Sequence, residues 1–233
     1  MKKELYRVSF VLALIVVFVS VSPVAIAGTV GSPIATVEQG SFQVGAEIDF
    51  FKRDTENELG DKSEVEGTKM LVKGTYGVSD KIDVFGKIGM VSCEFDLYGP
   101  RVETDMDIAF GFGGKVNVYE KGQIKASILA QVLFWSGEDT VAGTDYEVEA
   151  TEFDLAIGGS YEISEAFDCY GGLVYAKASG EVTRPGYALD VDEEDPIGIF
   201  IGGEYDITPQ AKAGLELRLI SATSFSFMAN FTF

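Results

Sequence analysis

The chain has 233 residues, 24% of them charged, and a formal net charge of −19. An acidic chain of this kind repels phosphates, which argues against nucleic acid as a partner. The sequence contains no histidine, so mechanisms in which a histidine activates a serine or a water molecule are excluded. We therefore expect a protein that is not an enzyme, and we expect no cofactor.

The first 27 residues differ from the rest of the chain. They begin with basic side chains, continue with an apolar run over residues 10–21 and end in the small-residue pattern Ala25-Ile26-Ala27. This order predicts a secretory signal peptide over residues 1–27, followed by a periplasmic lead-in over residues 28–40. An uncleaved membrane anchor is the alternative, although the apolar run is shorter than the ~20 residues that a spanning helix needs.

After residue 40, apolar and polar side chains alternate in ten successive segments. The last segment, Thr223–Phe233, places Phe225, Phe227, Phe231 and Phe233 on one face and mostly small polar side chains on the other. A period of two predicts β-strands with two unlike faces. The predicted strands cover residues 41–52, 68–78, 82–95, 105–118, 123–136, 151–163, 166–179, 197–207, 212–220 and 223–233.

The connections between these strands alternate in length. The stretches GGSYEIS at 158–164 and GGEYDIT at 202–208 share one pattern, and each leads into a short turn. Short turns are predicted at residues 79–81, 120–122, 164–165 and 208–210, and longer loops at 53–67, 96–104, 137–150 and 180–196. Short turns at one end and longer loops at the other are typical of outer-membrane barrels.

The predicted signal peptide, these turns and the terminal Phe233 resemble those of small bacterial outer-membrane β-barrels of the OmpA/OmpX-like kind. The resemblance covers residues 41–233. It implies an all-β, antiparallel, up-and-down transmembrane β-barrel of about ten strands, with eight as the alternative. It also implies contact with outer-membrane lipid and lipopolysaccharide, and a terminal strand, with Phe231 and Phe233, that the barrel-assembly machinery recognises during biogenesis.

The polarity of the strands favours a membrane barrel over a soluble one. A soluble barrel buries its apolar face, whereas here the polar face carries charges at mid-strand, as at Lys73, Asp107 and Arg218. In the cores of the predicted strands, the apolar face carries no Asp, Glu, Lys or Arg. A charge on a lipid-facing position costs about 2–4 kcal/mol at mid-bilayer. We therefore expect the apolar face to point outward into lipid.

The polar faces should then meet in the lumen. Charges in a narrow interior need partners or water. Ion-paired side chains would close the barrel, whereas hydrated charged side chains would line a narrow porin-like channel with a weak preference for cations. The predicted lumen network comprises Glu47, Asp49, Lys69, Lys73, Asp83, Lys87, Asp107, Lys115, Lys125, Asp154, Asp168, Glu204, Lys212, Glu216 and Arg218.

The seam between the last and the first predicted strands stands out. Glu47 and Asp49 of the first strand should face the uncharged lumen side of the last strand, which includes Ser224 and Ser226. Because these acids lack charged partners across the seam, we expect it to be the weakest or wettest stretch of the wall.

The predicted outer loops are strongly acidic. Clustered carboxylates can bind Ca²⁺ through oxygen, although the spacing here is not that of an EF-hand loop and a solvated surface is the simpler interpretation. The weak metal candidates are Asp190, Asp192, Glu193, Glu194 and Asp195. The preferred function is a structural or surface-interaction role through these acidic loops, and the narrow channel is the alternative.

A catalytic site built from carboxylates alone remains conceivable near the outer rim. Paired acids perform general acid–base chemistry in glycosidases. The candidates are Asp105, Asp107, Glu152 and Asp154, which the strand pattern assigns more simply to the polar face of the barrel.

Overall fold

The computed structural model describes residues 29–57, 60–96, 101–220 and 222–233, so the predicted signal peptide lies outside the described residues. Within these ranges, no helix is long and apolar enough to cross a membrane. The strands are β1 (Phe42–Asn57), β2 (Lys62–Ser79), β3 (Ile82–Asp96), β4 (Arg101–Glu103), β5 (Asp107–Lys121), β6 (Ile124–Val141), β7 (Thr144–Ser164), β8 (Phe167–Arg184), β9 (Tyr187–Glu193), β10 (Ile197–Asp206), β11 (Ala211–Leu219) and β12 (Thr223–Thr232).

Ten of these strands form a closed antiparallel ring in chain order. The ring runs β1-β2-β3-β5-β6-β7-β8-β10-β11-β12, and β12 pairs again with β1. Each of these strands overlaps one of the ten predicted segments, and several extend beyond it at the outer end, so the predicted up-and-down barrel is confirmed. The short strands β4 and β9, which raise the total to twelve, were not predicted; β4 pairs with β3, and β9 pairs with both β8 and β1.

The backbone pairing of the closing seam is intact, and the expectation that this seam is the weakest or wettest stretch of the wall stays a prediction. The β1–β12 ladder runs without a register shift through ten residue pairs, from Gln43↔Thr232 to Lys52↔Thr223. Asp49 does lie opposite the uncharged Ser226, as predicted, and the Ser226 hydroxyl donates a hydrogen bond to Asp49 Oδ1 at 2.6 Å. A neutral donor therefore binds one oxygen of this carboxylate, whereas Asp49 Oδ2 and the Ser224 hydroxyl are buried at the seam without a hydrogen bond among the described residues.

The two ends of the barrel differ in their connections. The inner end carries the short turns that follow β2, β5, β7 and β10, and the chain end at Phe233 lies there too. The long outer loops predicted at 53–67, 137–150 and 180–196 are wrong. Most of 53–67 belongs to β1 and β2, β6 and β7 continue to a turn at Ala142 and Gly143, and most of 180–196 belongs to β8 and β9. Both Ala142 and Gly143 have positive φ, as two-residue hairpin turns require.

The membrane half of the barrel is apolar outside and polar inside. On β7, Phe153, Leu155 and Ile157 point outward and are exposed, whereas Glu152 and Asp154 point inward and are buried. The same inversion holds on β1, where Ile48 and Phe50 are exposed and Glu47 is 2% exposed. This distribution is stable only when lipid surrounds the wall, and the molecule is a transmembrane β-barrel.

The outer half, beyond Phe51 on β1 and Thr151 on β7, has the opposite polarity. On β7 the alternation continues without a shift in phase, but the outward positions now carry Glu147 and Glu149, and Tyr146 and Val148 are buried inside. The inner faces of this half form an apolar core that includes Phe51, Phe95, Val102, Trp135 and Val182. Above the apolar belt the wall is therefore built like a soluble barrel.

Candidate functional site

The lumen of the membrane half gathers most of the predicted charged residues. The buried ones are Glu47, Asp49, Lys69, Lys73, Asp83, Lys87, Lys115, Asp154, Glu204, Glu216 and Arg218. The remaining four are half-buried near the ends of the barrel: Asp107, Lys125, Asp168 and Lys212.

Two groups of ion pairs cross the middle of the lumen. The ammonium groups of Lys73 and Lys87 both contact the Glu47 carboxylate, the second at 2.7 Å from Oε2. Arg218 on β11 reaches across the lumen to Asp154 on β7, with Nη1 3.1 Å from Oδ1, and Gln131 Nε2 donates to Asp154 Oδ2 at 2.8 Å. Each carboxylate is therefore held by a cation, as burial demands.

A third group lies just above, at the border with the outer half. Glu152 contacts the Lys69 ammonium, lies 3.2 Å from Arg53 Nη2 and accepts a hydrogen bond of 2.7 Å from Trp135 Nε1. Sequence analysis missed Arg53 because it lies beyond the predicted end of the first strand. The alternation that places Glu47, Asp49 and Phe51 inward continues to Arg53, so extending the period by one more step would have found it.

The segment of residues 29–37, which we call the N-terminal plug, lies inside the lumen. Val30, Ile34, Ala35 and Val37 are each at most 5% exposed. Sequence analysis assigned residues 28–40 to the periplasm, and this assignment is corrected here. The physical reason is that the backbone amides and carbonyls of the plug supply hydrogen-bond partners that a narrow, polar lumen otherwise lacks.

Wall side chains hold the lower part of the plug. Asn117 donates from Nδ2 to the Ala35 carbonyl at 2.8 Å and accepts from the Ala35 amide at 2.9 Å. The Thr36 amide donates to Asp83 Oδ2 at 2.9 Å, and the Ser127 hydroxyl donates to the Pro33 carbonyl at 2.8 Å. Asp83 Oδ2 thus accepts hydrogen bonds from two backbone N–H groups of the plug, those of Thr36 and Val37.

The upper part of the plug reaches the middle of the lumen. The Val30 amide donates to Glu216 Oε1 at 2.7 Å, and Gln131 Nε2 donates to the Thr29 carbonyl at 3.0 Å. Because Gln131 also binds Asp154, the plug and the ion pairs belong to one hydrogen-bonded network.

Gly77 makes room for the chain where it leaves the lumen. The Gly40 amide donates to the Gly77 carbonyl at 2.8 Å. A side chain at Gly77 would overlap the backbone carbonyls of Val37 and Glu38. Only glycine permits this close approach of two backbones.

The remaining space in the lumen is divided. A cavity of about 20 Å³ lies between Thr29 and the mid-lumen charges, including Glu47 and Asp154. A larger cavity of about 150 Å³ lies in the outer half, with Phe51, Arg53 and Trp135 in its wall. The contacts of Glu152, which lines the smaller cavity, with Arg53 and Trp135, which line the larger one, lie between the two cavities.

The acidic candidates for metal binding do not share one face of the wall, because consecutive residues of β9 point to opposite sides. On β9, Asp190 and Asp192 point outward, whereas Glu193 is buried and lies 3.9 Å from Arg53 Nη1. Within the described ranges, no group of three or more His, Cys, Asp or Glu side chains is placed to hold a metal ion. Burial raises the pKa of Glu193, above the apolar belt, to about 6 despite the nearby Arg53.

The four carboxylates considered for catalysis are not gathered into one pair. Glu152 and Asp154 are bound to cations in the lumen. Asp105 is exposed, and Asp107 is half-buried and accepts a hydrogen bond of 3.4 Å from the Ser136 hydroxyl. The arrangement supports ion pairing rather than proton transfer.

Solved bacterial outer-membrane barrels share features of this fold. An outer-membrane channel from Pseudomonas putida F1 aligns with a TM-score of 0.49 and 10% identity, over 89% of this chain and 100% of that one. The outer-membrane protease OmpT from Escherichia coli aligns with a TM-score of 0.49 and 12% identity, over 85% of this chain and 99% of that one. The outer-membrane protein OprG from Pseudomonas aeruginosa aligns with a TM-score of 0.46 and 12% identity, over 86% of this chain and 99% of that one. The sequence matches no family model and no curated protein.

Proposed function

We propose that the protein is a closed, non-catalytic barrel of the bacterial outer membrane that acts through its acidic outer end. The observation that carries this proposal is the filled lumen. The N-terminal plug is bonded to Asp83, Asn117 and Glu216, and paired charges occupy the level above it. Such an interior favours a rigid scaffold over a narrow cation-preferring channel.

The charge of the outer end indicates the kind of partner. The outward positions of this end carry many more acids than bases. The described acids are Asp54, Glu56, Asp61, Glu64, Glu66, Glu94, Asp96, Glu103, Asp105, Glu138, Asp139, Asp145, Glu147, Glu149, Glu181, Asp190, Asp192, Glu194 and Asp195, and the bases are Lys52, Lys62, Arg101, Lys177 and Arg184. A field of one sign steers partners of the opposite sign, so we infer a polycationic surface partner.

Export and assembly belong to the same proposal. The signal peptide of residues 1–27 would direct export, and outer-membrane lipid and lipopolysaccharide would surround the belt. Phe231 and Phe233 are 46% and 74% exposed on the outer face of β12. Their ring centroids lie 5.0 Å apart, which presents one aromatic pair to the barrel-assembly machinery.

Conductance tests the closed lumen. We expect no stable open step when the purified protein is inserted into planar bilayers, with reconstitution verified by the resistance of the folded band to SDS. A reproducible open step of fixed size would contradict the proposal and favour the narrow channel.

Binding of a cationic probe tests the outer end. Polylysine should bind the nanodisc-embedded protein, and the triple variant Glu147→Gln, Glu149→Gln and Glu181→Gln should bind it more weakly. The matched control neutralises three exposed acids of the inner end: Asp80→Asn, Glu120→Gln and Glu165→Gln. An equal loss of polylysine binding in both variants, or no loss of binding in either, would refute a role of the outer end.

A further inference from the structure

The outer half contains a cavity whose walls are apolar although its mouth is polar. The cavity has a volume of about 150 Å³. Six side chains supply most of its apolar wall: Phe51, Val65, Phe95, Trp135, Val148 and Val182. They come from β1, β2, β3, β6, β7 and β8, so the closure of the barrel itself creates the cavity. Lys62, near the β1–β2 turn, and Asp96 lie at its edge.

The charged groups at the floor of the cavity are already ion-paired with one another, although Arg53 Nε and Glu193 Oε1 form no hydrogen bond among the described residues. Arg53 lies 3.2 Å from Glu152 Oε2 and 3.9 Å from Glu193 Oε2. The Trp135 indole N–H donates to Glu152 Oε1 at 2.7 Å, so the indole ring rather than its polar atom remains available to the cavity. A guest gains little from hydrogen bonds here, whereas apolar contact with the wall stabilises it.

The volume sets the size of the guest. An apolar cavity of about 150 Å³ stays dry and accommodates a molecule the size of benzene. We propose that the outer cavity is a binding site for a small apolar molecule the size of one aromatic ring, taken up from outside the membrane. The aromatic rings of Phe51, Phe95 and Trp135 favour an aromatic guest, since offset or edge-to-face ring pairs add to the gain from buried area.

The site is a blind pocket and not part of a passage. The ion pairs of Glu152 close its floor, and the mid-lumen charges and the N-terminal plug lie below. A guest therefore leaves by the route through which it entered. Binding of a guest does not depend on the acidic outer end, and an open conductance step would refute the closed floor without removing the apolar cavity above it.

Trp135 is the single tryptophan of the chain and serves as the reporter. Toluene, titrated into the protein in nanodiscs, should change the Trp135 emission along a saturable curve and raise the unfolding temperature, because a ligand that binds only the folded state stabilises it. Toluene dissolved in lipid gives a linear response without saturation.

Two filling variants test the location. Ala178 and Ala150 both line the cavity and belong to different strands. Ala178→Phe and Ala150→Leu should each weaken toluene binding at least about tenfold by occupying the space. The matched control is Ala188→Phe, because Ala188 is exposed on β9 beside the cavity-lining Leu189. Far-UV circular dichroism checks that each variant folds.

Unchanged binding in a folded filling variant would place the guest elsewhere and overturn the proposal. A linear response in the unsubstituted protein would overturn it as well. Loss of binding in Ala188→Phe to the same extent as in Ala178→Phe would show that the effect is not local to the cavity, which also contradicts it.

Discussion

The two halves of the barrel follow one alternation with opposite polarity. On β7 the outward positions change from Ile157, Leu155 and Phe153 in the membrane half to Glu149 and Glu147 in the outer half. The strand and the phase are continuous, and only the surrounding medium changes. Strand geometry therefore fixes which side chains point outward, whereas the solvent on each side fixes what those side chains must be.

The interiors follow the same rule. In the membrane half the lumen is mainly polar, and most of its charges pair with one another, bond to the N-terminal plug or, as for Asp49, bond to a neutral side chain. An apolar cluster that includes Leu129 and Phe200 lies beside Val30 of the plug. In the outer half, water lies outside, so apolar side chains occupy the inside and leave a cavity between them. The N-terminal plug supplies hydrogen-bond partners where buried polar groups need them, and it also packs against apolar wall residues through Val30.

The largest effect is expected at the border between the halves. Glu152→Gln removes the carboxylate that holds Lys69 and Arg53 and should lower the free energy of unfolding by about 3–5 kcal/mol, since two buried cations lose their counter-charge. This change in the free energy of unfolding is measured by equilibrium unfolding with urea in phospholipid vesicles, followed by Trp135 fluorescence. In the control Glu66→Gln, which breaks an exposed pair with Lys52 at 2.8 Å, the loss should stay within about 1 kcal/mol.

The outward faces should respond to charge in opposite ways. Ile157→Arg places a cation against lipid and should destabilise the barrel by about 2–4 kcal/mol. Glu149→Arg, on the same face of the same strand, replaces one charge by another in water and should leave the unfolding midpoint nearly unchanged. Equal effects of the two substitutions in vesicle unfolding experiments would contradict the boundary between the halves.

A smaller effect is expected from loosening the N-terminal plug. Asn117→Ala removes both side-chain hydrogen bonds to Ala35 and should cost about 1–3 kcal/mol. Limited proteolysis from the inner end should then cut within residues 29–40. Gln43→Ala is the control, because the Gln43 amide bonds to Thr232 in the wall at 3.1 Å. Cleavage in the control but not in Asn117→Ala would contradict the role of Asn117.

The smallest effect is a pH dependence of the outer half. Burial raises the pKa of Glu193 from 4.5 to about 6, although Arg53 opposes the shift. A raised pKa of an acid means that its contribution to stability is fully present below pH 4.5 and is lost as the pH rises through 6. Glu193→Gln should therefore remove part of the decrease in stability between pH 4.5 and 6, whereas an identical pH profile would contradict the assignment.

The sequence predicts the membrane half well because lipid imposes one strict pattern. All ten wall strands follow from apolar positions outward and charged positions inward. The outer ends of β6, β7 and β8 were missed because their polarity reverses: Val148 and Val182 point inward where the pattern expects polar residues. A search for alternation of either polarity would have extended these strands.

The N-terminal plug was missed for another reason. Residues 29–37 are small and mixed and have no period, since they contribute backbone hydrogen bonds rather than a patterned face. Asn117 and Ser127 lie on lumen-facing positions, but their partners are carbonyls of a distant segment. No local pattern encodes a contact of that range, so only the three-dimensional structure shows why these side chains are polar.

The two short strands influence how copies of this barrel behave when crowded in one membrane. In the outer half, β1 and β8 extend beyond the ends of β12 and β10, and β9 pairs with both of them, as at Thr55↔Glu193 and Ser179↔Asp192. Likewise β4 pairs with β3 above the start of β5. Unpaired strand edges are templates for edge-to-edge aggregation. By pairing with both β1 and β8, β9 covers two strand edges on which neighbouring copies could otherwise join their sheets, and β4 covers the edge of β3.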